Sequence, residues 1–206
     1  MKQNKDNTTE QVILETAENL FLEKGFAMTS TTEIARIVGC NQALVHYYFR
    51  TKDRLFDAVF EKNANRFVSA FLDPMEENIP FEEKIRKKAE THYDILKANP
   101  KLPFLFFNEL YTNPERLSLL KEKIGDLPKS FLFQMDSELK AEIEKGTIRP
   151  MTAIDLMLTI LSLNLVLFLA SPVLKVITGL TETEFQNLVE NRKRENITVI
   201  LKSLRP

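Results

Sequence analysis

Two short segments on either side of a glycine turn constrain the fold of this chain more than any other feature. The sequence TTEIARIV at 31–38 and the sequence QALVHYYF at 42–49 both carry apolar residues at helical spacing. Three residues separate them, beginning with Gly39, a natural helix stop, and ending with Asn41, a natural helix N-cap. The spacing therefore predicts two short helices joined by a tight turn, the arrangement called a helix-turn-helix.

A further helix is predicted just before this pair. It is expected to run from a cap at Thr8 or Thr9 to Gly25, because its apolar residues recur on one helical face. Ser30 lies three residues before Glu33, which is the capping-box pattern that opens a helix. We therefore expect a three-helix unit at the N-terminus of the chain.

The rest of the chain is also helical in its periodicity, and no alternating strand pattern competes with it. Caps, prolines and glycines mark the boundaries of the predicted helices, which span 51–73, 81–98, 102–111, 114–123, 128–145, 153–171 and 182–204. Five glycines in 206 residues are few for a sandwich or barrel, which needs many tight turns. The predicted fold class is therefore all-α.

The formal net charge of the chain is −1, so its overall charge does not favour nucleic acid as a partner. Locally the balance differs, because Arg36, Arg50, Lys52 and Arg54 face only two acidic residues within 29–54. Any contact with DNA is therefore expected from this part of the surface, with a moderate dependence on salt.

The single cysteine, Cys40, rules out an internal disulfide and fits a reducing compartment. No apolar stretch follows the early lysines, so no secretory signal is expected. The most apolar run, 156–170, is shorter than the ~20 residues of a membrane helix and contains Thr159, Ser162 and Asn164. We therefore expect a cytoplasmic protein in which this run forms a buried helix and no contact with a membrane occurs.

The stretch GFAMTSTTEIARIVGCNQALVHYYFRTKDRLF, residues 25–56, resembles the signature of the TetR family of transcriptional regulators. The features that match are the GF pair, the TST cap region, the EIA helix, the VG turn with its polar cap, the HYYF end and the basic opening of the fourth helix. The resemblance implies a sequence-specific DNA-binding regulator, by default a ligand-responsive repressor. It also implies a homodimer that reads a pseudo-palindromic operator in double-stranded DNA.

The resemblance also implies which residues contact DNA. They lie at the N-termini of the second and third helices, in the aromatic end of the third helix and at the start of the fourth. They are Ser30, Thr31, Thr32, Asn41, Gln42, Ala43, Leu44, His46, Tyr47, Tyr48 and Lys52. Gln42 is expected to pair with adenine and Lys52 to bind phosphate. The order His-Tyr-Tyr departs from the frequent Tyr-Tyr-His, which leaves the roles of the three rings open.

The remaining domain organisation follows from the same resemblance. Residues 1–50 are expected to form the helix-turn-helix DNA-binding domain, and 51–206 a helical ligand-binding and dimerisation domain. The last two long helices would form a four-helix bundle with a second subunit. The alternative is that their apolar faces complete a core within one chain.

A pocket for a small apolar effector is expected among the aromatic residues of the second domain. Its candidate residues are Phe71, Tyr93, Phe107, Asn108, Tyr111, Phe131, Met157, Leu161, Asn164 and Phe168. Asn108, Tyr111 and Asn164 would be its polar anchors, and Asn164, if buried, needs a partner. The alternative is that most of these aromatic residues are ordinary core.

Two classes of function other than a regulator are an enzyme and a helical adaptor. The chain has two histidines and one cysteine and lacks the common hydrolase, metalloprotease and phosphate-loop motifs, so no enzyme, cofactor or metal is expected. His92 is two residues from both Glu90 and Asp94, a spacing that does not place them on one helix face. A helical ligand-binding adaptor without DNA binding is the remaining alternative.

Overall fold

The structure is a computed structural model that describes the backbone of residues 2–72 and 79–206. Side chains are described for 9–66, 79–122 and 124–206. The helices are α1 (Lys2–Met28), α2 (Thr31–Val38), α3 (Gln42–Phe49), α4 (Lys52–Leu72), α5 (Phe81–Ala98), α6 (Leu102–Thr112), α7 (Pro114–Ile124), α8 (Leu127–Glu144), α9 (Ala153–Leu169), α10 (Ser171–Thr178) and α11 (Glu182–Leu204). No strand occurs within the described ranges, and the predicted all-α fold class is confirmed.

Side-chain caps explain why several helices begin where they do. Thr181 and Glu184 form a reciprocal capping box at the start of α11, as do Thr152 and Asp155 at the start of α9. Asn113 accepts hydrogen bonds from the first amides of α7. These caps are local in sequence, so the predicted starts of these three helices agree with the structure.

Two predicted boundaries were wrong. The first helix begins at Lys2 rather than after a cap at Thr8 or Thr9. Gly25, the predicted end, does have a non-helical backbone with φ 80° and ψ 171°, and helical residues follow it as far as Met28. The predicted helix over 153–171 ends at Leu169, and a separate helix, α10, follows at an angle of 59°. Pro172 lies in the first turn of α10, where it cannot donate a hydrogen bond to the preceding helix, so the chain breaks there.

The buried side chains of the N-terminal part form a first core that continues past residue 50. Ile13, Phe21, Ile34 and Val45 from α1–α3 pack in one cluster with Leu55, Phe56, Val59, Phe60 and Ala64 of α4 and with Leu105 and Phe106 of α6. Helix α4 therefore shares one core with α1–α3. The domain boundary at residue 50 stays a prediction.

Two further clusters form the core of the second part. One joins α5, α8, α9 and α11 through residues that include Ile85, Leu139, Leu156 and Ile200. The other joins α5, α6, α9 and α11 around Tyr93. Helix α5 contacts α4, α9 and α11, so it lies between the first core and the two last long helices.

No single helix among the described residues is both long enough and apolar enough to cross a membrane. Helices α9 and α10 would do so only as a pair, by length and composition alone, and they are bent by 59° at their junction.

Candidate nucleic-acid interface

The helix pair α2–α3 is held against α1 by a small apolar contact set. Ile34 and Ala35 of α2 and Val45 and Phe49 of α3 are buried in the first core with Phe21. Burial of these side chains fixes the angle between α2 and α3 and leaves their N-termini exposed. The arrangement is that of a helix-turn-helix, as the sequence predicted.

Caps at both helix N-termini are formed as expected, with one difference. The Ser30 hydroxyl accepts a hydrogen bond from the Glu33 amide at 3.1 Å, and the Asn41 side chain accepts one from the Leu44 amide at 2.9 Å. The carboxylate of Glu33 does not return to the cap, however, and lies 2.5 Å from the Lys24 ammonium instead. The predicted capping box is therefore half formed, because a cation of α1 competes for the carboxylate.

The turn between the helices depends on its glycine. Gly39 has φ 77° and ψ 28°, a left-handed conformation that side chains with a Cβ rarely adopt. Its amide and that of Cys40 both bind the Ala35 carbonyl, which closes the end of α2 within one residue. Asn41 then opens α3, so the turn is as short as the motif requires.

The predicted DNA-contacting residues differ in exposure. Those that are exposed are Ser30, Thr32, Asn41, Gln42, Ala43, His46 and Tyr47. Those that are half-buried are Thr31, Leu44, Tyr48 and Lys52. Their assignment to DNA stays a prediction.

Gln42 connects the beginnings of the two helices. Its side-chain nitrogen donates to the Thr31 hydroxyl at 3.0 Å and lies 3.2 Å from the Nε2 atom of His46. The Nδ1 atom of His46 is 2.9 Å from the Arg50 carbonyl, so a neutral ring with its proton on Nδ1 satisfies both contacts. Pairing of Gln42 with a base therefore requires its amide to exchange protein contacts for contacts in the groove.

The two tyrosine rings at the end of α3 differ in exposure. Tyr47 is 71% exposed, and its ring meets that of Tyr48 edge to face at a centroid distance of 5.2 Å. Tyr48 is half-buried and lies against Phe49, which belongs to the first core. Tyr47 is thus the ring presented outward, and Tyr48 supports it.

The Lys52 ammonium makes contacts within the protein that the sequence did not predict. Its ammonium donates to the carbonyls of Phe26 at 3.0 Å and Thr29 at 3.1 Å, and it lies 4.2 Å from the centroid of the Phe26 ring. The same turn is held from within by buried Thr29, whose hydroxyl donates to the carbonyls of Leu20 and Gly25. Lys52 therefore fixes the start of α4 to the turn that presents Ser30 and keeps one N–H for another acceptor.

The structure does not bring the predicted effector residues into one cavity. Phe131 and Met157 line a space of about 10 Å³, which is room for about one water molecule. Asn108 and Tyr111 are exposed, and Phe107 and Leu161 are half-buried. The side chain of Phe71 lies outside the described residues.

The other three candidates, Tyr93, Asn164 and Phe168, are buried in the core. The Tyr93 hydroxyl donates to the Val189 carbonyl at 2.7 Å, and its ring meets Phe168 at 5.3 Å. Within one chain, these contacts tie α5 to α9 and α11. Their assignment to an effector stays a prediction.

Asn164 is the centre of a buried polar network. Its amide nitrogen donates to the Ala89 carbonyl at 2.9 Å and lies 3.2 Å from His92 Nδ1, and its oxygen accepts from Asn196 at 3.1 Å. Burial lowers the pKa of His92 to about 4, so this imidazole is neutral near pH 7. The partners that the sequence analysis required for Asn164 are therefore found in its own chain, on α5 and α11.

Sequence reasoning missed an outward cleft between α4 and α7. It has a volume of about 410 Å³, and Arg116, a buried cation, forms part of its wall. The guanidinium pairs with Asp57 on α4 at 3.3 Å and with Glu109 on α6. These partners are 59 and seven residues away in sequence, so no short motif signals the cleft. Among the described residues, no group of histidine, cysteine and acidic side chains could hold a metal.

Residues 13–59, which include the helix-turn-helix, match the model of the family described as "Bacterial regulatory proteins, tetR family". Two similar curated proteins are also regulators. The Fatty acid metabolism regulator protein of Bacillus subtilis is 23% identical over 66% of this chain and 69% of its own length. The HTH-type transcriptional regulator RutR of Escherichia coli is 26% identical over 95% of this chain and 90% of its own length.

Solved structures share the fold along nearly the whole chain. A bacterial regulatory protein of the tetR family from Rhodococcus has a TM-score of 0.68 and 17% identity, covering 96% of this chain and 97% of its own. The hemolysin II transcriptional regulator HlyIIR has a TM-score of 0.62 and 22% identity, covering 98% and 99%. Together, the helix-turn-helix geometry and the family match over 13–59 identify this segment as the DNA-binding part of a tetR-type transcriptional regulator, and the solved structures show that nearly the whole chain shares their fold.

Proposed function

We propose that the protein acts as a homodimer that binds a pseudo-palindromic operator and represses transcription from it. When a small molecule binds, the dimer leaves the operator. The observation that carries the proposal is the exposed surface made by the N-termini of α2 and α3, with Gln42 and Tyr47 outward and Lys52 at its edge. A helix N-terminus attracts phosphate, and the exposed start of α3 fits the major groove, where base edges are distinguishable.

A second copy of the chain is the proposed partner of α9 and α11. One face of α9 exposes Ile154, Leu158, Val166 and Leu169, which recur at helical spacing, and Val199 of α11 is also exposed. Ser162 lies on the same face, but its hydroxyl donates to the carbonyl of Leu158 within the helix and needs no outside partner. An apolar stripe of this kind favours burial against a partner, which supports dimerisation.

Dimerisation also has a geometric purpose in this proposal. Two recognition helices must lie one helical turn of DNA apart, about 34 Å, for a dimer to read an inverted repeat. Any change in the angle of α4 changes that separation, because α4 shares the first core with α1–α3 and contacts α5 of the second part. An effector relieves repression if it binds more tightly to the geometry that does not fit DNA.

The experiment that tests the proposal is selection from a pool of randomised duplexes, combined with sedimentation to determine the number of chains in the free protein and in the complex. We expect an enriched inverted repeat bound by two chains. A dimer that enriches no sequence at low salt, even after refolding to remove any bound small molecule, would favour the helical adaptor without DNA binding and end the proposal.

A further inference from the structure

The cleft between α4 and α7 is a candidate ligand site that the assigned functions leave unused. Its volume of about 410 Å³ lies in the range of small-molecule sites, whereas the space beside Phe131 has only about 10 Å³. Its apolar wall is formed by Phe60 and Ala64 of α4 and by Leu119 and Leu120 of α7. A cleft of similar size between α7 and α8 has no buried polar group in its lining and offers less to fix a ligand.

The polar feature of the cleft is the guanidinium of Arg116. It has five N–H donors, of which one on Nε binds Asp57 and one on Nη1 binds Glu109. Its remaining terminal nitrogen makes no hydrogen bond to any described residue, although 90% of the side chain is buried. This nitrogen is not one of the fully buried atoms without a partner, so it reaches solvent, and an acceptor on a ligand could approach it from the cleft.

The charges around the cleft decide which acceptor is suitable. Arg54 and Arg116 line it together with Asp57, Glu61 and Glu122, and Glu109 lies behind Arg116. Two cations and four carboxylates therefore surround the cleft, a formal excess of two negative charges. A ligand carboxylate would be repelled, while a ligand cation would have to compete with two arginines for the same carboxylates.

We propose that the α4–α7 cleft binds a small, uncharged ring compound whose carbonyl oxygen accepts a hydrogen bond from Arg116. The ring lies against Phe60 and the leucines of α7, where it is removed from water. This inference rests on the proposed function, since it names the site and the chemical class of the effector.

The position of the cleft connects such a ligand to helices α1–α3, which carry the helix-turn-helix and form the DNA-reading end of the chain. The Arg116 guanidinium lies 4.3 Å from the centroid of the Phe56 ring, and Phe56 packs edge to face on Phe21 of α1 at 4.9 Å. Both aromatic rings belong to the first core, which also holds α2 and α3. A compound seated on Arg116 therefore acts on the helix that joins the two parts.

Three probes with one ring system and different head charges test the chemical class. They are 2-naphthamide, 2-naphthoate and 2-naphthylmethylammonium, each titrated calorimetrically into the full-length protein at neutral pH. We expect the amide to bind at one site per chain and the two charged compounds to bind at least about tenfold more weakly, a difference of about 1.4 kcal/mol. Equal binding of all three, or tightest binding of the carboxylate, would overturn the assignment.

Two matched substitutions on α7 test the location. Leu119 lines the α4–α7 cleft, whereas Leu117 lines the cleft on the other side of α7, and both are about half exposed. Leu119→Trp fills the proposed site and should abolish amide binding, while Leu117→Trp should leave it unchanged. Loss of binding in both variants or in neither would place the site elsewhere.

Duplex selection on the same preparations separates this inference from the proposed function. If the protein enriches an inverted repeat but does not bind the amide, the assignment of the cleft is wrong and the proposed regulatory function is unaffected. If it binds the amide at Leu119 but enriches no DNA, the cleft is a ligand site and the repressor proposal fails.

Discussion

The Nε atom of Arg116 lies 3.3 Å from the Oδ1 atom of Asp57, and this pair joins α7 to the helix that carries the DNA-reading end. Neither residue belongs to the predicted DNA-contacting set, and Asp57 follows Phe56 of the first core by one residue. The pair therefore joins α7 to α4 beside the first core.

Asp57→Asn removes one charge of the Arg116–Asp57 pair and so tests how much the pair stabilises the fold. The Arg116 side chain is 10% exposed and that of Asp57 is 37% exposed, so solvent screens the pair only in part. We expect the free energy of unfolding to fall by about 1–2 kcal/mol, because Arg116 keeps Glu109 but loses its partner on α4. Chemical denaturation followed by circular dichroism provides the measurement.

Asp126→Asn is the matched control for that substitution. Asp126 also pairs with a cation, Lys129 at 2.9 Å, but both side chains are more than four-fifths exposed. Its loss should change stability by less than about 0.5 kcal/mol. If both substitutions have the same small effect, the Arg116–Asp57 pair does not hold α7 to α4.

His92 should make stability depend on pH in a defined window. Its pKa is lowered by burial from 6.5 to about 4, so the unfolded chain binds a proton more readily than the folded one. The contribution of the neutral ring is complete above pH 6.5 and is lost as the pH falls toward 4, up to about 3 kcal/mol. Asp155, whose pKa is lowered by hydrogen bonds from Thr152, loses its own contribution at more acidic pH.

Nuclear magnetic resonance would follow the His92 ring directly. Its ring resonance should stay constant from pH 8 down to about 5 and move only as the pH approaches 4. His92→Gln should remove the loss of stability between pH 6.5 and 4. Titration of the ring near pH 6.5 in the folded protein would show that it is not buried as described.

Lys52→Met should affect folding as well as DNA binding. The substitution keeps an unbranched side chain, one heavy atom shorter, but removes two charge-assisted hydrogen bonds to the turn between α1 and α2. Because Lys52 is partly exposed, we expect a loss of about 1–2 kcal/mol in the free energy of unfolding.

Arg54→Met removes the same charge two residues later, from an exposed side chain without those contacts. Its stability should stay within about 0.5 kcal/mol of the parent, while the salt dependence of DNA binding weakens. Equal stabilities of the two variants would leave Lys52 with no role in holding the turn.

Val166→Asp should separate the proposed dimer into monomers. The side chain lies on the exposed apolar face of α9, where a carboxylate would be buried against the second copy without a partner. Sedimentation should show monomers that remain folded and no longer enrich an inverted repeat. Phe133→Asp on α8 is the control, since Phe133 is more exposed than Val166 and lies outside the proposed interface.

Most of the helix boundaries could be predicted from sequence because the signals that set them are local. Gly39 with Asn41, Asn113 with Pro114, and Thr181 with Glu184 each act within a few residues. The break before α10 was missed because Pro172 is tolerated in a first helical turn, so its presence alone does not show whether a helix ends or begins.

The side-chain contacts at the sites could be predicted less well because they join residues far apart in sequence. Asn164 and His92 are 72 positions apart, and Lys52 bonds carbonyls 23 and 26 positions away. Asn164 was identified as an amide that needs partners, but the sequence could not show that α5 and α11 supply them. For the same reason, the aromatic residues in the sequence did not show that a cleft of about 410 Å³ lies between α4 and α7.

Sequence-specific reading by α3 is tested by the affinity of the full-length protein for the enriched inverted repeat relative to a scrambled duplex of the same composition, measured across a salt series. We expect a preference of at least about 10³ for the repeat. We also expect Gln42→Ala to relax the preference at one base position in each half-site while binding remains salt-dependent. Equal affinity for the two duplexes at every salt concentration would contradict sequence-specific reading by α3.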